Sequence, residues 1–148
     1  SPMSMGTRCH QLAAYIVHDS PLTMLCDAPT NYLNEQECVD FITSIPVETD
    51  STFIAAGKMG EYIVTARRVG EDWIVGGLTD WEARTVDLDL SFLPEGMFRA
   101  EIFCDGINAD KKGEDYRHEY RDVKREDRLK MQLAPGGGFA IRLKKNHN

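Results

Sequence analysis

Near Pro46 the spacing of apolar residues changes from a helical period to a period of two, and this change limits what the chain can fold into. Before it, Cys9, Leu12, Ala13 and Ile16 recur at i, i+3, i+4 and i+7, the single apolar stripe of a helix over residues 6–19. Thr7 stands at its N-cap position and Pro21 ends the pattern. Leu22–Cys26 is too short for a helix, lies between Pro21 and Pro29, and is apolar on both faces, so it reads as a strand buried on both sides. Asn34 followed by Glu37 has capping-box spacing. Cys38, Phe41, Ile42 and Ile45 then form the apolar face of a second helix, which Pro46 stops.

After Pro46 the alternation is that of strands. "RTVDLDLSFL" places Val86, Leu88, Leu90 and Phe92 on one face and Thr85, Asp87, Asp89 and Ser91 on the other. "EYIVTARR" and "EDWIVGGLTDW" read as strands joined by a hairpin turn at Val69–Asp72. "MFRAEIFCDGI", "RLKMQLA" and "FAIRLKK" alternate in the same way, with "PGGG" linking the last two; "ADKKGEDYRHEYRDVKREDR", rich in charges of both signs, reads as a solvated strand and loop region in which the alternation of Tyr116, His118 and Tyr120 allows one more strand. Six or more strands with turns at near-regular intervals predict an antiparallel β-sandwich. The expected fold is therefore mostly β, with two parts: residues 1–46 as a helix–strand–helix piece and 47–148 as the sandwich. About 100 residues suffice to close a core. The first part leaves both edges of its one strand unpaired and must complete a sheet elsewhere, so its apolar side chains (Leu12, Ile16, Leu22, Met24, Phe41 and Ile42) are expected to be exposed in isolation.

The 148 residues are 42% hydrophobic and 28% charged, as in an ordinary globular chain. With 17 basic and 24 acidic side chains the net charge is −7, which argues against nucleic acid or an anionic membrane surface as partner. No apolar run approaches the roughly 18 residues of a membrane span, and "SPMSMGTRCH" lacks the basic and apolar segments of a signal peptide. Cys9, Cys26, Cys38 and Cys104 show no CxxC spacing and read as free thiols, three of them buried.

Helix, strand, helix at this spacing is the grammar of a βα-repeat architecture. In a (β/α)8 barrel the active site lies at the C-terminal ends of the strands. That face is reached by the loop Asp27–Tyr32 and by the segment leading into the first helix, which ends at Arg8. Asp27, Asn31 and Arg8 are the candidate substrate-facing residues, with Asp27 a turn or helix cap as the competing reading. No catalytic residue and no metal ligand is assigned. His10 and His18, eight apart, miss the i, i+4 spacing of a helical zinc pair. "DGINAD" offers Asp105, Asn108 and Asp110 but not the spacing of a calcium loop, and reads as a turn at a strand end. Trp73 and Tyr62 are in phase with core positions, whereas Trp81, at a strand end, suits a surface contact.

"GTRCHQLAAYIVHDSPLTMLCDAPTNY", "IVGGLTDWEARTVDLDLSFL", "FRAEIFCDGINAD" and "LAPGGGFAIRL", in this order, resemble the C-terminal end of glycoside hydrolase family 97, the bacterial α-glucosidases and α-galactosidases that include an enzyme of the starch-utilisation system of gut Bacteroides. The resemblance covers nearly the whole chain. It implies that 1–46 is the last β/α unit of a catalytic (β/α)8 barrel and 47–148 a C-terminal β-sandwich involved in packing and oligomer contacts. It also implies an exo-acting enzyme on α-linked gluco- or galacto-oligosaccharides, a calcium ion in the full-length active site, an upstream barrel as the intramolecular partner, a homo-oligomer, and a periplasmic or extracellular location. The family's catalytic carboxylates and calcium ligands precede the "GTR.HQLA" motif, so none carries over to a residue here, and the 148-residue chain is expected to be inactive with no cofactor of its own. The alternative is a carbohydrate-binding sandwich that holds glycan through aromatics such as Trp81.

Overall fold

The computed structural model describes residues 6–18, 36–46 and 49–147. The strand expected at Leu22–Cys26, the Asn34 cap, Asp27 and Asn31 lie outside the described residues. Two helices, α1 (Arg8–Val17) and α2 (Gln36–Thr43), precede eight strands. These are β1 (Ser51–Lys58), β2 (Tyr62–Val69), β3 (Asp72–Thr79), β4 (Arg84–Asp89), β5 (Phe98–Asp105), β6 (Tyr116–Val123), β7 (Arg128–Leu133) and β8 (Gly138–Lys145). Six of them form an antiparallel sheet in the order β1-β2-β3-β8-β5-β6, and β4 pairs with β7 in a second, two-stranded sheet.

The period-two pattern becomes the core between these sheets. Val86 and Leu88 of β4 pair with Met131 and Leu129 of β7 and face Val75, Ala100, Ile102 and Ile141 of the larger sheet. The opposite face of β4 and β7 is solvated, with Arg128 bridging Asp87 and Asp89. Phe53, Trp73 and Phe92 close one end of this core in a tilted and edge-on cluster with ring centroids 5.1–5.7 Å apart. Trp73 is thus a core residue, as its phase predicts.

The central strands do not alternate. β3, β5 and β8 are buried on both faces because a second core lies beneath the helices, where Leu12 and Ile16 of α1 and Phe41 and Ile42 of α2 meet Ile74, Phe103 and Ala140. The expectation that these four helical residues lie exposed in isolation is corrected here. Leu12 and Ile16 are fully buried, and Phe41 and Ile42 nearly so, against the outer face of the sandwich. The physical reason is the composition of that face. Ile74, Phe103 and Ala140 give it an apolar patch across β3, β5 and β8, and Gly76 lets α1 settle onto the sheet, since a Cβ there would lie 2.8 Å from Ile16 Cβ. Burying a Leu, Ile or Phe side chain contributes roughly 1.5–3 kcal/mol, enough to favour docking over exposure.

β1, "STFIAAGK", carries no clean alternation and was not predicted as a strand; it is an edge strand with a register irregularity between Ile54 and Ala56. β6, also at an edge, is the strand that Tyr116, His118 and Tyr120 mark.

Candidate functional site: the joint between the helices and the sandwich

α1 begins where Thr7 places its side chain in two bonds at once. Its Oγ1 accepts from the His10 backbone N–H at 3.1 Å, the N-cap bond predicted from sequence, and donates to Asp105 Oδ1 at 2.7 Å. Asp105, the last residue of β5, is buried, and its other oxygen accepts the backbone N–H groups of Ala134 (2.9 Å) and Gly138 (3.1 Å). Burial is the largest influence on this carboxyl and raises its pKa to about 6, although all three hydrogen bonds pull the other way. With three donors on its two oxygens, Asp105 is committed to structure rather than to chemistry on a ligand.

The loop between β7 and β8 is shaped around this carboxylate. A Cβ on Gly137 would lie 1.9 Å from Asp105 Oδ2, and one on Gly136, at φ +64°, would lie 2.4 Å from Cζ3 of the Trp81 indole. The Gly136 carbonyl accepts from Thr7 N–H (3.0 Å), and the Gly113 carbonyl accepts from Arg8 N–H (2.8 Å). His10 Nδ1 lies 3.1 Å from the Gly137 carbonyl oxygen, which can only accept, so the ring proton sits on Nδ1. Burial holds His10 below the ordinary imidazole value. The quoted motifs "GTRCHQ", "FCDGINAD" and "APGGGF" therefore converge at one point in space. In sequence Asp105 reads as a turn residue; its partners lie 98, 29 and 33 positions away, and only the fold brings them together. Arg8 is buried, with its guanidinium 5.6 Å from the Tyr116 ring centroid. Trp81 is 59% exposed, in keeping with its expected surface position.

At its other end α1 is closed by Arg67 of β2, a buried side chain that donates from Nε to the Ile16 carbonyl at 2.6 Å and from Nη2 to that of Val17 at 3.3 Å. A guanidinium on the last carbonyls satisfies orphan acceptors and opposes the negative end of the helix dipole. This cap was not legible because β2 reads simply as a strand.

α2 is fastened by charge. His118 of β6 stacks on Phe103 with centroids 4.0 Å apart. Its Nδ1 lies 2.7 Å from Glu37 Oε2 and its Nε2 lies 2.9 Å from Glu101 Oε2. Tyr116 donates to Glu37, Tyr120 to Glu101 at 3.2 Å, and Arg142 to Glu101 at 2.6 Å. Glu37 is held below the usual carboxylate range, chiefly by the Tyr116 and His118 hydrogen bonds. For Glu101, burial is the largest influence and acts upward, but the bonds from His118 and Arg142 together bring it below that range.

Among the described residues no group of three His, Cys, Asp or Glu side chains is placed to hold a metal ion. Cys9, Cys38 and Cys104 are buried thiols outside any disulfide, and burial raises the pKa of Cys9 and Cys104. No helix among the described residues is long and apolar enough to cross a membrane.

These features define a class: an antiparallel β-sandwich that carries helices on its outer face. The family model described as "Glycosyl-hydrolase 97 C-terminal, oligomerisation" matches residues 48–144, and the chain belongs to glycoside hydrolase family 97. It is 53% identical, over 97% of its length, to a retaining alpha-galactosidase of Bacteroides thetaiotaomicron, and 28% identical, over 88% of its length, to a probable retaining alpha-galactosidase of Streptomyces bingchenggensis. The solved structure of a family 97 enzyme from Pseudoalteromonas sp. strain K8 in complex with acarbose superposes on 96% of the chain with a TM-score of 0.82 at 32% identity, and the chain covers 23% of that structure. The chain spans less than a quarter of the length of these relatives (22% and 19% of the two galactosidases).

Proposed function

We propose that this chain is the C-terminal part of an exo-acting α-galactosidase, in which residues 1–46 end a catalytic (β/α)8 barrel and 47–148 form an accessory β-sandwich that braces the barrel and contributes to oligomer contacts. The observation that carries the reading is the 53% identity to a retaining alpha-galactosidase across 97% of the chain. The joint supports a bracing role. A helix N-terminus held by Asp105, Gly136 and Gly113 is fixed at the end which, in a barrel, adjoins the active-site face. In this reading Asp27 and Asn31 line that face, while Arg8, packed over Tyr116, belongs to its supporting wall.

Catalytic carboxylates and the calcium ion implied by the family belong to the upstream barrel, and the substrate is an α-linked galacto-oligosaccharide. α-Gluco-oligosaccharides are the family's other substrate class. In this reading the parent works in the periplasm or outside the cell, as the family resemblance implies. The test is hydrolysis of aryl α-galactoside and aryl α-glucoside by the parent polypeptide and by the 148-residue chain. The parent is expected to prefer the galactoside and the chain alone to turn over neither. Turnover by the chain, or a parent without glycosidase activity, would overturn the reading.

A further inference from the structure

The outer face of the six-stranded sheet is covered unevenly. α1 lies on β3 and β8, and α2 lies over Phe103 and His118, on β5 and β6. Each helix thus occupies about two strands. Strands lie about 4.8 Å apart, so two strands span about 10 Å, the width of one helix and the spacing at which helices pack side by side. The remaining pair, β1 and β2, has no helix of the described residues at its outer end.

The face at that end is apolar. Ile63 pairs with Leu78 on one side and with Gly57 on the other, in the register that puts Gly76 against α1, so all of them lie on the helix-bearing face. With Ile54 (59% exposed), Met59 (99% exposed) and Tyr62 they line an open groove of about 550 Å3. The groove continues the surface on which α1 already sits, and Thr65 and Arg67, further along β2, are buried where α1 ends.

We propose that this groove seats a further helix of the parent polypeptide, presenting an apolar face and packed beside α1 on the side away from α2. The uncovered pair of strands is about one helix wide, the groove is continuous with the face that holds α1 and α2, and more than three quarters of the length of the relatives lies outside this chain. The inference rests on the reading of the chain as the end of a longer barrel enzyme, in which helices follow one another around the sheet. The sandwich then contacts three consecutive barrel helices, a wider base than two helices provide.

The test places a reactive thiol in the groove. Ile54→Cys is introduced into the 148-residue chain and into the parent, and alkylation of that position by iodoacetamide is followed by peptide mass spectrometry. The expected result is rapid labelling in the chain and at least tenfold slower labelling in the parent, independent of protein concentration. Equal rates would overturn the proposal. Protection that disappears on dilution would overturn it in favour of a second copy of the chain as the occupant. Aryl α-galactoside hydrolysis by the same parent variant separates the two levels: full activity with a fully reactive thiol sinks the groove assignment alone, whereas an inactive unsubstituted parent sinks the function reading.

Discussion

The two helices are fastened to the same face of one sheet by opposite chemistry. α1 is held by a buried carboxyl whose oxygens are saturated by backbone and hydroxyl donors, and α2 by the half-exposed Glu37, which His118 links to the buried Glu101. Burial pushes Asp105 up toward neutrality, whereas hydrogen bonds and charge hold Glu37 and Glu101 down. Their responses to acid are therefore opposite in sign. Between the ordinary aspartate value of about 4 and the folded value of about 6, native Asp105 keeps a proton that the unfolded chain has lost, so this joint weakens as pH rises through that window. Glu37 and Glu101 contribute above the ordinary glutamate value, and their share is lost as pH falls below it through their lowered folded values.

The largest expected effect comes from Phe103→Ala, which removes the ring under both Phe41 and His118 and strips the α2 joint of packing and stacking together. A loss of about 3–5 kcal/mol in urea unfolding is expected; a loss under 1 kcal/mol would mean that α2 is held by the Glu37 contacts to Tyr116 and His118 rather than by packing on Phe103. Asp105→Ala follows, at about 3 kcal/mol, because it leaves the Thr7 hydroxyl and two backbone N–H groups buried without an acceptor. Asp105→Asn, which keeps one oxygen, is expected to cost less and to abolish the decline in stability between pH 4 and 6, a decline on the order of 1–3 kcal/mol in the unsubstituted chain. An unchanged pH profile in the Asn variant would show that another group titrates there.

Arg67→Ala is expected to cost about 2 kcal/mol by uncapping the carbonyls of Ile16 and Val17. Hydrogen exchange should then speed up in the last turn of α1 and leave its first turn, at Thr7, protected. Acceleration at both ends would show that the two caps act as one unit. Glu37→Gln is expected to have the smallest effect, under about 1 kcal/mol, since the carboxylate is half-exposed. Its acid-side loss of stability should shrink, and no change in acid unfolding would assign that loss to Glu101.

Much of the sandwich was legible. β4 and β7 follow from strict alternation, the other strands after β1 from short strand-forming runs bounded by turns, the Gly70–Glu71 hairpin from its turn residues, and the start of α1 from Thr7. β1 was not, because "STFIAAGK" is an irregular edge strand with little side-chain pattern to read. The candidate site was legible only as separate motifs. Asp105 looked like any strand-end aspartate, and nothing local distinguishes it from Asp110, which is exposed.

By itself the sequence determined the elements: period, caps and turn residues act over a few positions, and they specify helices, strands and an antiparallel sandwich. Tertiary structure decided where the helices go and which polar residues matter. The Thr7–Asp105 and Glu37–His118 contacts join residues 98 and 81 positions apart, and the double burial of β3, β5 and β8 exists only once the helices lie on the sheet. Burial and hydrogen-bond satisfaction are properties of that assembled neighbourhood, so they raise Asp105 and lower Glu101, although both are carboxylates on β5.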